Sequence, residues 1–257
     1  MPYSFRFTER GDHYVLLSDQ TDRLLQLFLI AAAVIPAIAL MIRVYQADHL
    51  EKESPALLYT LVRAGILSSL LALVEERVFS YVLDQYVEPD TVKYNVILYF
   101  CIVAIAEESS KYIFLRKNSW NSREFDCQYD GVVYAVFVSL GFALWENISY
   151  VLNFGLTTAI ARSVTAIPGH ACFGVFMGTF YGIAKKYDYA GDSFKKTLFT
   201  ILSMLFPMLI HGSYDYIATL EQEGAGWYFL IFIAVLFIIS YILVGQTSKE
   251  DKVIKNS

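Results

Sequence analysis

Glu107, Glu108 and Lys111 sit within four residues of one another, inside a run, Tyr94–Leu115, that is otherwise apolar. Residues three and four apart share a helix face, so the lysine lies beside both acids. The same spacing pairs Phe142 with Glu146 and His211 with Asp215, and a further apolar run carries His170. An ionisable side chain in hydrocarbon costs several kcal/mol, so such residues mark functional sites by default. Carboxylates that take a proton from water, and imidazoles that donate one or hold a metal, are the parts of a hydrolytic site. Each position also has a plain structural reading. The Glu–Lys pair can neutralise itself, His170 can be a packed and hydrogen-bonded ring, Glu146 a protonated bond between helices, and Asp215 an interfacial acid. Two glutamates, a third glutamate, two histidines and an aspartate in four runs favour the chemical reading.

The elements that must position these groups are membrane spans. Of 257 residues, 56% are hydrophobic and only 18% charged, against about 45–50% apolar and roughly 25% charged in soluble proteins. With a net charge of −5, a soluble domain, a disordered chain and a nucleic-acid binder are all excluded. Three cysteines cannot complete a disulfide framework, and they read as small buried apolar side chains. A bilayer core about 30 Å thick takes about 20 helical residues to cross. Seven runs meet that demand: Leu24–Ile42, Ala56–Val74, Tyr94–Leu115, Gly131–Phe154, Ser163–Ala184, Thr197–Leu220 and Trp227–Gly245.

The expected fold is therefore an all-α, polytopic transmembrane bundle of about seven spans, one integral membrane domain over 1–257 with its motif-bearing core at about 94–220. The first 23 residues, with Arg6, Glu9, Arg10 and Asp12 among them, are too polar for a signal peptide, so the first run stays as a span. Arg63 and the cluster Glu75-Glu76-Arg77 read as structural, the first snorkelling or pairing and the second capping the end of its span. Segments that face one side, 43–55, 116–130, 185–196 and the C-terminal tail, carry twelve Lys and Arg against six on the other side. The heavier set belongs in the cytoplasm, which places the N-terminus outside and the C-terminus inside.

The motif residues resemble those of the PrsW family of intramembrane proteases, relatives of the CAAX-prenyl endopeptidase and bacteriocin-processing group. The family pattern is EExxK, FxxxE, a histidine on the following helix, and HxxxD. Here it reads Glu107-Glu108-Ser109-Ser110-Lys111, Phe142-Ala143-Leu144-Trp145-Glu146, His170, and His211-Gly212-Ser213-Tyr214-Asp215. Asp130-Gly131, Gly141-Phe142 and Glu146-Asn147 also look like the family. The resemblance implies a protease of the bacterial cytoplasmic membrane that cuts a membrane-anchored protein near the outer half of the bilayer, an anti-sigma factor being the implied kind of substrate. It further implies that Glu107 and Glu146 hold and deprotonate the water, and that His211, oriented by Asp215, donates to the developing oxyanion. Glu108 with Lys111 would tune local charge, and His170 would be a metal ligand or a second proton carrier. Glu146 stands where the prenyl endopeptidases carry His.

Two forms of the chemistry remain open on the residues. Glu107, Glu146, His170 and His211 can supply a tetrahedral set for zinc, although no HExxH is present; a metal-free mechanism on the carboxylates is the other. Counting at about 1.5 Å per residue puts Glu146, His170 and His211 at about 10–14 Å from the outer ends of their spans, and Glu107 nearer 20 Å. The competing class is a proton- or ion-coupled transporter or channel using the same groups. Inverted repeats, its usual companion, are not evident. A retinal receptor is disfavoured because Trp227–Gly245 contains no lysine. Aspartyl and rhomboid intramembrane proteases would carry GxGD and GxSG, and neither occurs.

Overall fold

The computed structural model describes residues 10–254, with side chains placed from Leu24 onward except at Leu25. The part of the N-terminal segment before residue 10, read above as too polar for a signal peptide, lies outside the described residues. Among the described residues the chain is almost wholly helical: α1 (Arg10–Ala47), α2 (Pro55–Asp84), α3 (Val92–Val96), a π-helical segment (Ile97–Val103), α4 (Ala104–Ser119), α5 (Asp130–Phe154), α6 (Leu156–Val164), α7 (Ala166–Tyr189), α8 (Ser193–Ala218) and α9 (Ala225–Lys249). An isolated backbone bridge, Cys127 to Val253, is antiparallel. The all-α bundle stands as expected.

Among the described residues, five helices are long and apolar enough to cross a bilayer: Gln26–Ala47, Pro55–Asp84, Asp130–Phe154, Ser193–Ala218 and Ala225–Lys249. The α3–π–α4 rod and α7 are of similar length and run among them, and they hold Glu107, Glu108, Lys111 and His170. Local signals start these helices. Ser54 accepts from the Leu57 amide and Pro55 occupies the first turn of α2, where a missing N–H costs nothing. Thr91 accepts from the Tyr94 amide at 3.1 Å, and Asp192 from the Lys195 amide at 3.0 Å. Pro168 lies in the first turn of α7 and Pro207 inside a continuous α8. Neither proline unwinds its helix.

Helix α5 is the hub, packed on α7, α2 and α1, while α7 also packs on α8. Between helices in lipid, close approach rather than hydrophobic segregation supplies the attraction, and small residues permit it. Gly131 on α5 meets Gly178 and Gly182 on α7; a Cβ there would lie 2.6 Å from the Gly182 nitrogen. Around this contact Tyr129, Tyr134, Phe125 and Tyr181 are fully buried, with Phe125 stacked on Tyr181 at 5.3 Å.

Two boundaries differ from the sequence expectation. Helix α2 continues to Asp84, ten residues past Val74, so Glu75 and Glu76 lie within a helix and do not cap its end. The run from Ser163 is broken at Thr165, where α6 meets α7. Gly155, at φ +78°, ends α5 in a backbone conformation that glycine adopts without a Cβ penalty, and so lets α6 turn away from α5 at once.

Candidate functional site

Helices α4, α5, α7 and α8 bring all seven candidate residues into one connected cluster. Lys111 is its centre. The ammonium, fully buried, lies 2.7 Å from Glu108 Oε1 and 3.0 Å from Glu107 Oε2. It also lies 3.2 Å from His170 Nδ1 on α7 and 4.0 Å from the centre of the Phe142 ring, a cation–π contact that adds attraction in a dry setting. Phe142 is thus part of the motif for a physical reason: one turn before Glu146, it covers the lysine.

His211 on α8 turns Nδ1 to Glu108 Oε1 at 2.8 Å. Its Nε2 lies 3.3 Å from Asp215 Oδ2 and 3.8 Å from Glu107 Oε2. Phe173 stacks on the His211 ring at 4.6 Å, and the His170 ring stands at 83° to it, 5.6 Å away. His170 Nε2 bonds Glu146 Oε2 at 2.8 Å, and Glu146 Oε1 pairs with Arg162 at 2.9 Å. Arg162 is held in turn by Asn147 at 3.0 Å, whose amide donates to the Ala33 carbonyl.

A cavity of about 560 Å³ opens beside this network, lined by Glu107, Glu146, His170, His211 and Asp215, with Glu76 and Arg162. Glu108 and Lys111, both fully buried, lie behind that wall. The depth comparison that set Glu107 apart is overturned by these contacts. The helical run starts at Val92, which by itself deepens the count, while the π-helical turns at 97–103 carry more residues per turn than an α-helix does and work the other way.

Two participants were not singled out in the sequence. Glu76, read as an interfacial cap, lines the cavity, and its neighbour Glu75 accepts from Ser110 at 3.3 Å. The signal was there, since a Glu-Glu pair at the end of an apolar run continues the helix as readily as it caps it. Arg162 is one of the six Lys and Arg on the less basic side, and nothing in its local sequence points to Glu146. Arg63 lies exposed, 5.7 Å over the Tyr59 ring, as a structural arginine should.

Donor atoms of Glu107, Glu108 and His211 lie within 4.8 Å of one another, the spacing of a metal site. The tetrahedral set drawn from the sequence shares Glu107 and His211 with this group, while Glu108 joins it and Glu146 and His170 do not; both ring nitrogens of His170 face other partners, Lys111 and Glu146. The three residues fit a divalent cation. Glu108 Oε2 is buried without a hydrogen-bond partner, and the acids Glu107, Glu108, Glu146 and Asp215 outnumber the cations Lys111 and Arg162. Two carboxylates and an imidazole leave a fourth position open for water, as catalytic zinc sites do.

Comparison with known proteins places most of the chain beside one family. The model of the PrsW family of intramembrane metalloproteases matches residues 53–244. The chain is similar to the Protease PrsW of Geobacillus kaustophilus strain HTA426, 35% identical over 211 residues, which are 81% of this chain and 87% of that protein. It is 33% identical to the Protease PrsW of Oceanobacillus iheyensis over 229 residues, 87% of this chain and 98% of the relative. Against the Protease PrsW of Bacillus subtilis strain 168 it is 33% identical over 81% of this chain and 90% of the relative. No solved structure matches the chain.

Proposed function

The chain belongs to the PrsW family of intramembrane metalloproteases, and from that premise we propose how its buried side chains divide the work of peptide hydrolysis. The protein is an integral membrane protease acting on a protein substrate in the membrane. Glu107 and Glu146 face the cavity from different helices, and between them they hold the attacking water and take its proton. Lys111 holds Glu107 and Glu108 in place and, through His170, fixes the geometry at Glu146.

His211 is oriented by Glu108 as well as by Asp215. Its Nδ1–H is given to Glu108, so Nε2 is the atom turned to the reaction. In a metal-free form of the chemistry Nε2, once protonated, donates to the oxyanion of the tetrahedral intermediate or to the leaving amine, with Asp215 at 3.3 Å stabilising that charge; in the metal form the same nitrogen keeps its lone pair for the ion. Glu107, Glu108 and His211 would hold the metal, which we assign as zinc, and when bound it would polarise the scissile carbonyl and make water more acidic.

The substrate we propose is a single-span membrane protein cut in the outer half of the bilayer, an anti-sigma factor being the class implied by the family resemblance. It goes with the orientation we propose from the loop charges, with the N-terminus outside. In that orientation the loops at 48–54 and 120–129 and the tail at 250–254 are cytoplasmic. Their direct contacts, such as Ser54 to Glu124 and Ile254 to Asp126, agree with their being on one side.

The observation that carries this reading is the single cavity shared by Glu107, Glu146, His211 and Asp215. It is tested with purified protein in detergent and a panel of single-span peptides. Glu107→Gln, Glu146→Gln and His211→Ala should each abolish cleavage while retaining the fold, and undiminished cleavage in all three would remove the assigned site.

A further inference from the structure

At the far end of α5 from Glu146, about 24 Å along the helix axis, a second group of acids is gathered from separate stretches of chain. Asp48 and Glu53 come from the connection between α1 and α2, and Asp130 opens α5. Asp251 comes from the tail after α9. Asp48, Glu53 and Asp130 are each at most 2% exposed, and one carboxylate oxygen from each lies within 4.8 Å of the others.

These carboxylates are held on one edge and open on the other. Asp130 Oδ2 accepts from the amides of Asp126 at 3.0 Å and Cys127 at 2.7 Å, while its Oδ1 is buried with no hydrogen bond. Asp251 repeats the pattern, with Oδ1 accepting from Tyr129 and Lys252 and Oδ2 buried without a partner. Glu53 Oε1 and both oxygens of Asp48 are in the same condition. Burial pushes the Asp48 carboxyl up, while the Lys52 ammonium and the amides of Leu50 and Glu51 ease its charge. Lys52, the nearest ammonium on that connection, is committed to the backbone carbonyls of Tyr45 and Asp48. Burial, opposed by a hydrogen bond from Tyr134 and reinforced by the charges of Glu124, Asp48 and Glu51, pushes the Glu53 carboxyl up to about 8.

We infer that Asp48, Glu53 and Asp130 form a binding site for an oxygen-preferring divalent cation, separate from the catalytic cavity. Buried carboxylates without partners are costly, and a doubly charged ion at their shared centre satisfies the open oxygens together. A donor set of carboxylates alone suits a hard ion such as Mg²⁺, Mn²⁺ or Ca²⁺. The ion would tie the α1–α2 connection to the first turn of α5, the helix that carries Glu146. Glu51, Asp126 and Cys127 form a second donor group around the same Asp130, and the thiol makes that group the one a softer metal would choose.

The test is Mn²⁺ titration of the full-length protein in detergent, read by electron paramagnetic resonance and by thermal midpoint. A Glu107→Gln/His211→Ala parent removes ligands of the catalytic cavity, so the second site is counted alone. One tightly held Mn²⁺ per chain is expected, displaced by Mg²⁺ or Ca²⁺, with a midpoint raised by about 5 °C at hundredfold excess over Kd. Asp48→Asn and Glu53→Gln, which keep the shape and remove a buried charge, should lose both effects. Without cation they should melt no lower than the parent, which separates lost binding from lost folding. If the parent does not fold, Asp48→Asn in the otherwise native chain should remove one bound Mn²⁺ and leave the His211-dependent metal in place. The proposal is overturned by no retained Mn²⁺, by retention unchanged in Asp48→Asn, or by a site that requires Cys127 and prefers Zn²⁺. It is equally overturned if acidification alone raises the midpoint and cations add nothing, since protons would then be what the carboxylates share.

Discussion

The Lys111 ammonium lies 3.2 Å from His170 Nδ1, and that contact fixes the chemistry of the histidine. An ammonium has only protons to offer, so Nδ1 accepts, and the ring's own hydrogen is on Nε2. That hydrogen is given to Glu146 Oε2 at 2.8 Å. His170 is therefore a neutral bridge between the two acidic motifs, with no lone pair left for a metal. His211 differs on this point, because Nδ1–H goes to Glu108 and Nε2 faces the cavity side.

Replacing His170 should thus separate catalysis from metal binding. In His170→Phe, cleavage should fall by about 10²-fold as Glu146 loses its orienting donor, while bound metal measured by mass spectrometry stays at the wild-type level. His211→Ala should lose both. Equal metal loss in the two variants would make His170 a ligand and refute the bridge.

Lys111 is the residue on which the buried charges depend. Lys111→Met keeps the bulk and leaves Glu107 and Glu108 without their shared cation. Breaking a buried pair by removing one partner costs about 3–5 kcal/mol. The thermal midpoint in detergent should drop sharply, and Lys111→Met/Glu108→Gln should recover part of the loss. A Lys111→Met protein as stable as wild type would show that the acids are held in some other way.

The chemistry was legible because membrane depth makes ionisable residues conspicuous. Glu107, Lys111, Glu146 and His211 stand out against apolar runs, and spacing alone put Lys111 beside Glu107 and Glu108. The partners that act across helices were not legible in the same way. Arg162 reaches Glu146 only because Gly155 ends α5 and α6 turns away at once, a conformation with no period to read. Glu76 was lost at a helix boundary that charge suggested and that packing carries on to Asp84. The wide turns at 97–103 have no sequence signature, yet they lie just ahead of Glu107 and change the rise leading to it.

Contact between α5 and α7 at Gly131 sets the spacing of the helices that bear Glu146 and His170. In Gly131→Val the new side chain meets the backbone of Gly178 and Gly182, which cannot move as a side-chain tip can. Overpacking of this kind costs typically about 1–3 kcal/mol. The variant should melt lower and lose cleavage through displaced helices, with Gly226→Ala, where a Cβ meets nothing within 4 Å, as the neutral control. A Gly131→Val protein with full stability would mean that the helices are not in contact there.

Asp188, just beyond the apolar part of α7, gives a pH dependence whose sign is fixed. Burial pushes its carboxyl up, but Lys196 at 2.6 Å and Lys185 at 3.7 Å outweigh that effect and hold it below the usual aspartate range. A carboxyl with a lowered value in the folded state stabilises above its unfolded value, near 3.8, and the gain disappears as pH falls through the folded one. The side chain is 27% exposed, so solvent screening limits the contribution to about 0.5–1 kcal/mol. Asp188→Asn should therefore melt about 1–4 °C below wild type at pH 7. The gap should close as the pH is lowered below 3.8, provided both proteins remain folded in detergent. A gap that persists undiminished at the acid end would show that the introduced asparagine disturbs packing and that the two lysines contribute nothing through charge.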